Sequence, residues 1–127
     1  MEINILNRIR EDLDREILNS FTLKEVGTEK EQQCMEILSR NGELLESLNE
    51  QTPALCEVAV RQTVKALAFV QVPTVSLFRL AIEQTPFAIK YLESDWFEDS
   101  ERDELMIQAL KKAVRTQAAQ LFIVLLT

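Results

Sequence analysis

The segment ESDWFEDSERDE, residues 93–104, gathers seven carboxylates: Glu93, Asp95, Glu98, Asp99, Glu101, Asp103 and Glu104. Arg102 is its single basic residue, so nearly all of the chain's net charge of −7 sits here. Trp96, the one Trp of the chain, and Phe97 lie inside it. Carboxylates at this density suggest calcium, but the segment lacks the alternating Asp/Asn ligands and the Gly of an EF-hand loop. A better-fitting chemistry is recognition of a basic protein surface, with charge steering the encounter and Trp96 as buried anchor. The plainer reading is a solvated loop whose aromatics fold back on the chain, while Asp99, Glu101 and Asp103 favour a helix start.

Other chemistry is sparse. The chain has no His. That removes Ser-His-Asp catalysis, the usual base for a nucleophilic Cys, and most zinc sites. No Gly-rich phosphate loop, zinc-protease helix motif or nucleophile elbow is present. Cys34 and Cys56 hold equivalent places in adjacent units, where stacked helices separate equivalent backbones by about 9–10 Å. A disulfide needs less than about 7 Å, so both read as small buried apolar side chains. The expectation is a protein that is not an enzyme and carries no metal or cofactor. An enzyme or ligand binder would have to use carboxylates in a groove.

The elements that hold these residues follow from a repeat. Sliding residues 52–70 onto 74–92 leaves Thr52/Thr74, Leu55/Leu77, Ala59/Ala81, Gln62/Gln84, Thr63/Thr85 and Ala66/Ala88 identical. Val60/Ile82, Leu67/Ile89, Phe69/Tyr91 and Val70/Leu92 are conservative. One period earlier, Cys34, Leu38, Asn41–Gly42, Leu45 and Leu48 fall on Cys56, Val60, Thr63–Val64, Leu67 and Val70. A fixed period marks stacked units, none of which buries its apolar face alone. The units are 30–51, 52–73 and 74–94.

Each unit reads as two short helices. Thr52 is an N-cap with Pro53 at the first helical position. Leu55, Cys56, Ala59 and Val60 share one face. A break follows at Gln62–Thr63, and at Asn41–Gly42 a turn or left-handed cap is expected. Thr85–Pro86 opens the second helix of the third unit, and Val72–Pro73 separates units two and three. Before the repeats, Leu6, Ile9, Leu13, Ile17 and Phe21 predict an amphipathic helix, and Thr28-x-x-Glu31 a capping box. After them, Ser100 or Asp99 is expected to cap one helix running to about Leu126, with Leu105, Ala109, Leu110, Ala113 and Val114 inward.

The units resemble a bacterial and giant-virus helical-repeat family of unknown function. Its pattern is approximately Thr-Pro-x-Leu-Cys-x-x-Ala-Val-x-Gln-Asn-Gly-x-Ala-Leu-x-Tyr-Val. Thr52, Pro53, Leu55, Cys56, Ala59, Val60, Gln62, Ala66, Leu67 and Val70 match it. The Asn-Gly occurs in the first unit alone, as Asn41–Gly42; Thr63–Val64 and Thr85–Pro86 replace it. The resemblance covers about residues 30–94. It implies a helical-repeat fold and no reaction.

A chain of 127 residues fits one domain. The expected parts are an N-terminal helical cap (1–27), three helical repeats (28–94), and an acidic linker with a C-terminal helix (95–127). Two Gly and three Pro are too few for an all-β fold, so the fold class is all-α: a short helical-repeat array, a small right-handed or irregular solenoid. The negative charge opposes phosphate backbones, so no nucleic acid is expected. The longest apolar run, 121–126, is too short to span a bilayer and reads as a buried helix end. Two Cys without a secretory signal suggest a reducing, cytoplasmic location. The functional expectation is a protein-interaction module, such as a small inhibitor or immunity-type protein that masks a basic surface. A homodimer or self-associating scaffold, joined through the first helix or the aliphatic end, is the other reading.

Overall fold

The computed structural model describes residues 2–93, 95–116 and 119–126. Ser94, inside the acidic segment, and residues 117–118, inside the expected last helix, lie outside the described residues. Every regular element among the described residues is helical, and the fold is all-α. The chain forms two compact units, residues 1–71 and 72–127.

In the first unit, α1 (Glu2–Ser20) and a short 3-10 turn (Leu23–Glu25) precede α2 (Glu29–Arg40). A 3-10 helix (Gly42–Ser47) follows, then α3 (Pro53–Gln62) and a further 3-10 helix (Val64–Phe69). Helix α2 packs on α3 and the two longer 3-10 helices pack on each other, while α1 leans on the 42–47 helix and α2. Leu18, Phe21, Cys34, Leu38, Leu45, Leu55, Val60 and Leu67 form the core. Each such fully buried aliphatic contributes about 1.5–3 kcal/mol. In the second unit, α5 (Asp99–Val114) packs on α4 (Val75–Gln84) and on a 3-10 helix (Pro86–Tyr91). Phe78, Ile82, Leu105 and Ala109 fill its core, and α6 (Ala119–Leu126) follows.

The three repeated segments fold alike, down to single hydrogen bonds. The first helix of each ends with the N–H of Asn41, Thr63 and Thr85 on the carbonyls of Ile37, Ala59 and Ala81, all at 3.0 Å. Leu44, Ala66 and Ala88 then donate to Asn41, Thr63 and Thr85. Leu48, Val70 and Leu92 close each segment on Leu45, Leu67 and Ile89. Thr52 and Thr74 accept from the N–H groups of Leu55 and Leu77, as N-caps should. Leu55 and Leu77 are both buried and Phe69 and Tyr91 both half-buried, whereas Thr52 and Leu67 are buried where Thr74 is exposed and Ile89 half-buried.

The expected second short helix of each repeat is present, as a six-residue 3-10 helix. Its three residues per turn complete two turns in six residues, which suits segments too short for two α-turns. Several local expectations are corrected. Gly42 is not left-handed; the one positive φ among the described residues is +83° at Gly27. Gly42 is instead a close approach: a Cβ there would stand 2.3 Å from the Ala59 carbonyl oxygen. The Thr28–Glu31 capping box does not form. The Thr28 hydroxyl donates to the Glu25 carbonyl, and the Glu31 carboxylate takes the N–H of Gly27, because the left-handed Gly27 tucks that amide inward.

The expected long last helix is broken. Thr116 turns both its N–H and its hydroxyl onto the Ala113 carbonyl, which tightens and ends α5. Val114 points to solvent, whereas Leu105, Ala109 and Ala113 are buried. The aliphatic end is not buried: Ile123, Val124, Leu125 and Leu126 are exposed. Leu6, Ile9 and Leu13 of α1 are exposed as well, while Phe21 is buried and Ile17 half-buried.

Candidate functional site

The acidic segment leaves the 86–91 helix and enters α5. Its aromatics are held by one ring. Phe78, fully buried on α4, lies 5.8 Å from Trp96 at 55° and 5.8 Å from Phe97 at 82°. These tilted and edge-to-face geometries are the favourable ones for ring pairs. The backbone N–H of Trp96 donates to the Glu93 carbonyl, which curls the segment into a turn. Both aromatics are half-buried, so they fold back on the chain. Phe78 could have been named from sequence as the residue after Leu77 on the buried face of α4; that it receives both rings could not.

Folding the rings inward turns the carboxylates out. Glu93, Asp95, Glu98, Asp99, Asp103 and Glu104 are exposed, and Glu101 is half-buried. Several of them serve the fold, Glu98 among them, whose side chain accepts the backbone N–H of Glu101. Glu101 accepts the N–H of Glu98 at 3.1 Å, which makes Glu98, not Ser100 or Asp99, the N-cap of α5. Asp99 pairs with Arg102 one turn on. Glu104 pairs with Arg79 of α4 at 2.5 Å, and Gln108 donates to the Arg79 carbonyl and to Glu83, both at 3.2 Å, so α4 and α5 are latched. Residues 95–102 line an open depression of about 480 Å³. Its walls are mainly polar atoms of the segment and the N-terminal turn of α5. Such a dish offers surface rather than enclosure.

The carboxylate that is buried serves the fold. Among the described residues the buried polar side chains are Glu31 and Thr52, and both receive backbone N–H groups. No group of three Cys, Asp or Glu side chains among the described residues converges as a metal site. Cys34 and Cys56 are buried free thiols. Burial pushes Cys56 up to about 11, and burial likewise raises Cys34, partly offset by Lys30. A thiol so placed stays protonated at neutral pH and is a poor nucleophile.

Sequence reasoning missed the polar side chains that sew the first unit together. Gln62 accepts the N–H of Gly42 at 2.7 Å, joining one repeat to the one before it. Gln51 donates to the Phe69 carbonyl at 2.8 Å and accepts the N–H of Gln71 at 3.0 Å and the Cys56 thiol at 3.3 Å. Gln71 donates to the Asn49 carbonyl, and Asn49 to that of Asn19, each at 3.2 Å. Asn49 and Gln71 stand one repeat apart, so their shared amide chemistry was the available signal. No family model, curated protein or solved structure matches the chain. No helix among the described residues is long and apolar enough to cross a membrane.

Proposed function

We propose that this chain is a non-enzymatic protein-interaction module that presents residues 93–104 to a basic protein surface, as a small inhibitor or immunity-type protein would. The observation that carries this reading is the inversion within the segment: its rings are turned inward onto Phe78 and its carboxylates outward. A rigid floor of aromatic packing holds the charges at fixed positions, which lowers the ordering cost of binding. Trp96, half-buried, acts chiefly as part of that floor and offers its remaining edge to a partner. The likeness of the three hydrogen-bonded repeats supports placing residues 30–94 with the resembled helical-repeat family.

The test is capture of a partner by tagged protein, with partner identity read by mass spectrometry. Glu93→Lys/Asp103→Lys alters the segment; Glu36→Lys/Glu46→Lys makes the same charge change on exposed positions of the first unit. Loss of a basic partner with the first variant and its retention with the second supports the reading. Equal recovery by both variants removes the segment from the function. The carboxylate-enzyme reading has less to stand on, because the buried Glu31 is committed to Gly27.

A further inference from the structure

Helix α1 has two faces. Glu11, Asp14 and Leu18 recur at three- and four-residue steps and are its less exposed side. Leu18 is fully buried, Asp14 pairs with Arg40 at 3.5 Å, and the neighbouring Arg15 reaches the Ser47 hydroxyl at 3.3 Å. Ile5, Leu6, Ile9 and Leu13 form a second stripe about 100° wide on the far side of the helix. They are 57%, 64%, 51% and 54% exposed. Every residue from 3 to 10 is exposed, so this half of α1 stands clear of the unit it belongs to. A free helix of such length is marginal in water, and a continuous aliphatic stripe on it calls for cover.

We infer that a second copy of this chain covers the stripe, its α1 lying antiparallel across the first about a two-fold axis beside Ile9 and Arg10. Charge selects this arrangement. Arg8 and Asp12 lie one turn apart along the same edge of the stripe, and neither has an ion-pair partner among the described residues. An antiparallel two-fold sets Arg8 of each copy beside Asp12 of the other, so one i,i+4 pair is satisfied twice. Arg10 lies on the opposite edge, and its long stem carries the charge out to water. Leu6, Ile9 and Leu13 then interleave with their counterparts. The stripe supplies roughly 400 Å² of apolar surface per copy, within the range of a monomer's largest functional patch. With the flanking stems, two copies bury about 1,000 Å², the lower bound of a specific interface, so the dimer dissociates on the order of micromolar.

Sedimentation velocity across the micromolar range tests this. The wild type is expected to move from monomer to dimer as concentration rises. Ile9→Asp changes an exposed residue, so the fold is retained and the protein stays monomeric throughout. Arg8→Glu and Asp12→Arg each weaken dimerisation about tenfold through two mismatched charge pairs. The double variant, with the charges exchanged, restores it. A wild type that is monomeric at every concentration overturns the proposal, as does a dimer that survives Ile9→Asp. Single charge variants that dimerise as the wild type does, or a double variant that fails to recover, overturn the antiparallel pairing. Reversal of Glu93 and Asp103 leaves dimerisation unchanged, so this result stands apart from the reading of the acidic segment.

Discussion

At Gly42 the backbone leaves no room for a side chain. Its missing Cβ is what lets the 42–47 helix sit against the end of α3, with the Gln62 amide on its N–H. Gly42→Ala should cost about 2 kcal/mol or more, since the methyl meets a backbone carbonyl that cannot swing aside. Chemical denaturation measures this, and a change under about 0.5 kcal/mol would refute the close approach. Cys56 makes a prediction in pH. Its thiol titrates near 9.0 when unfolded and at about 11 when folded. Between those values the unfolded chain binds fewer protons, so stability falls as pH rises through that window, by about 2 kcal/mol. Stability measured from pH 8 to pH 11 should show that loss in the wild type and less of it in Cys56→Ala. Alkylation of the folded protein at neutral pH should also be slow. The aromatic floor gives a third outcome: Phe78→Ala, which strips both Trp96 and Phe97 of their partner, should destabilise by about 3–5 kcal/mol.

Repeated elements allow equivalent substitutions to be compared. Thr52→Ala and Thr74→Ala each remove the acceptor of an N-cap bond and should cost about 1 kcal/mol, with Thr52 the costlier because it is buried. Ser at either position should recover most of the loss; equal stability of the Ala and Ser variants in thermal melts would contradict the capping role. These helix starts were legible because Thr-Pro and Thr-x-x signals act within one turn of chain. The inward face at Leu55, Cys56, Ala59 and Val60 was legible for the same reason, since periodicity is local. The 3-10 character of the second segments was not, because i+3 and i+4 hydrogen bonding differ by one residue in the same apolar pattern. Nor could α1 be resolved from its pattern. An aliphatic stripe looks the same whether it meets the core or solvent, and here Leu18 and Phe21 dock while Ile5, Leu6, Ile9 and Leu13 do not. At the far end, the stop at Thr116 uses no Gly or Pro, the two residues from which helix ends are read.

Across the whole molecule, charge and packing divide the work. Each compact unit has its own aliphatic core, and among the described residues exposed aliphatic side chains run along α1 and through residues 123–126. The acidic segment concentrates the net charge in one stretch of the second unit. Its position in sequence was legible from composition, but the inward turn of Trp96 and Phe97 depends on contact with Phe78, eighteen residues earlier for Trp96, which no local pattern encodes. The most direct test is calorimetric titration with a Lys/Arg-rich peptide over a range of salt. The wild type should bind with an affinity that falls steeply as salt rises, Glu93→Lys/Asp103→Lys should weaken binding about tenfold or more, and Glu36→Lys/Glu46→Lys should change it by less than about twofold. Equal weakening by the two variants would mean that net charge alone drives binding, and would contradict the account.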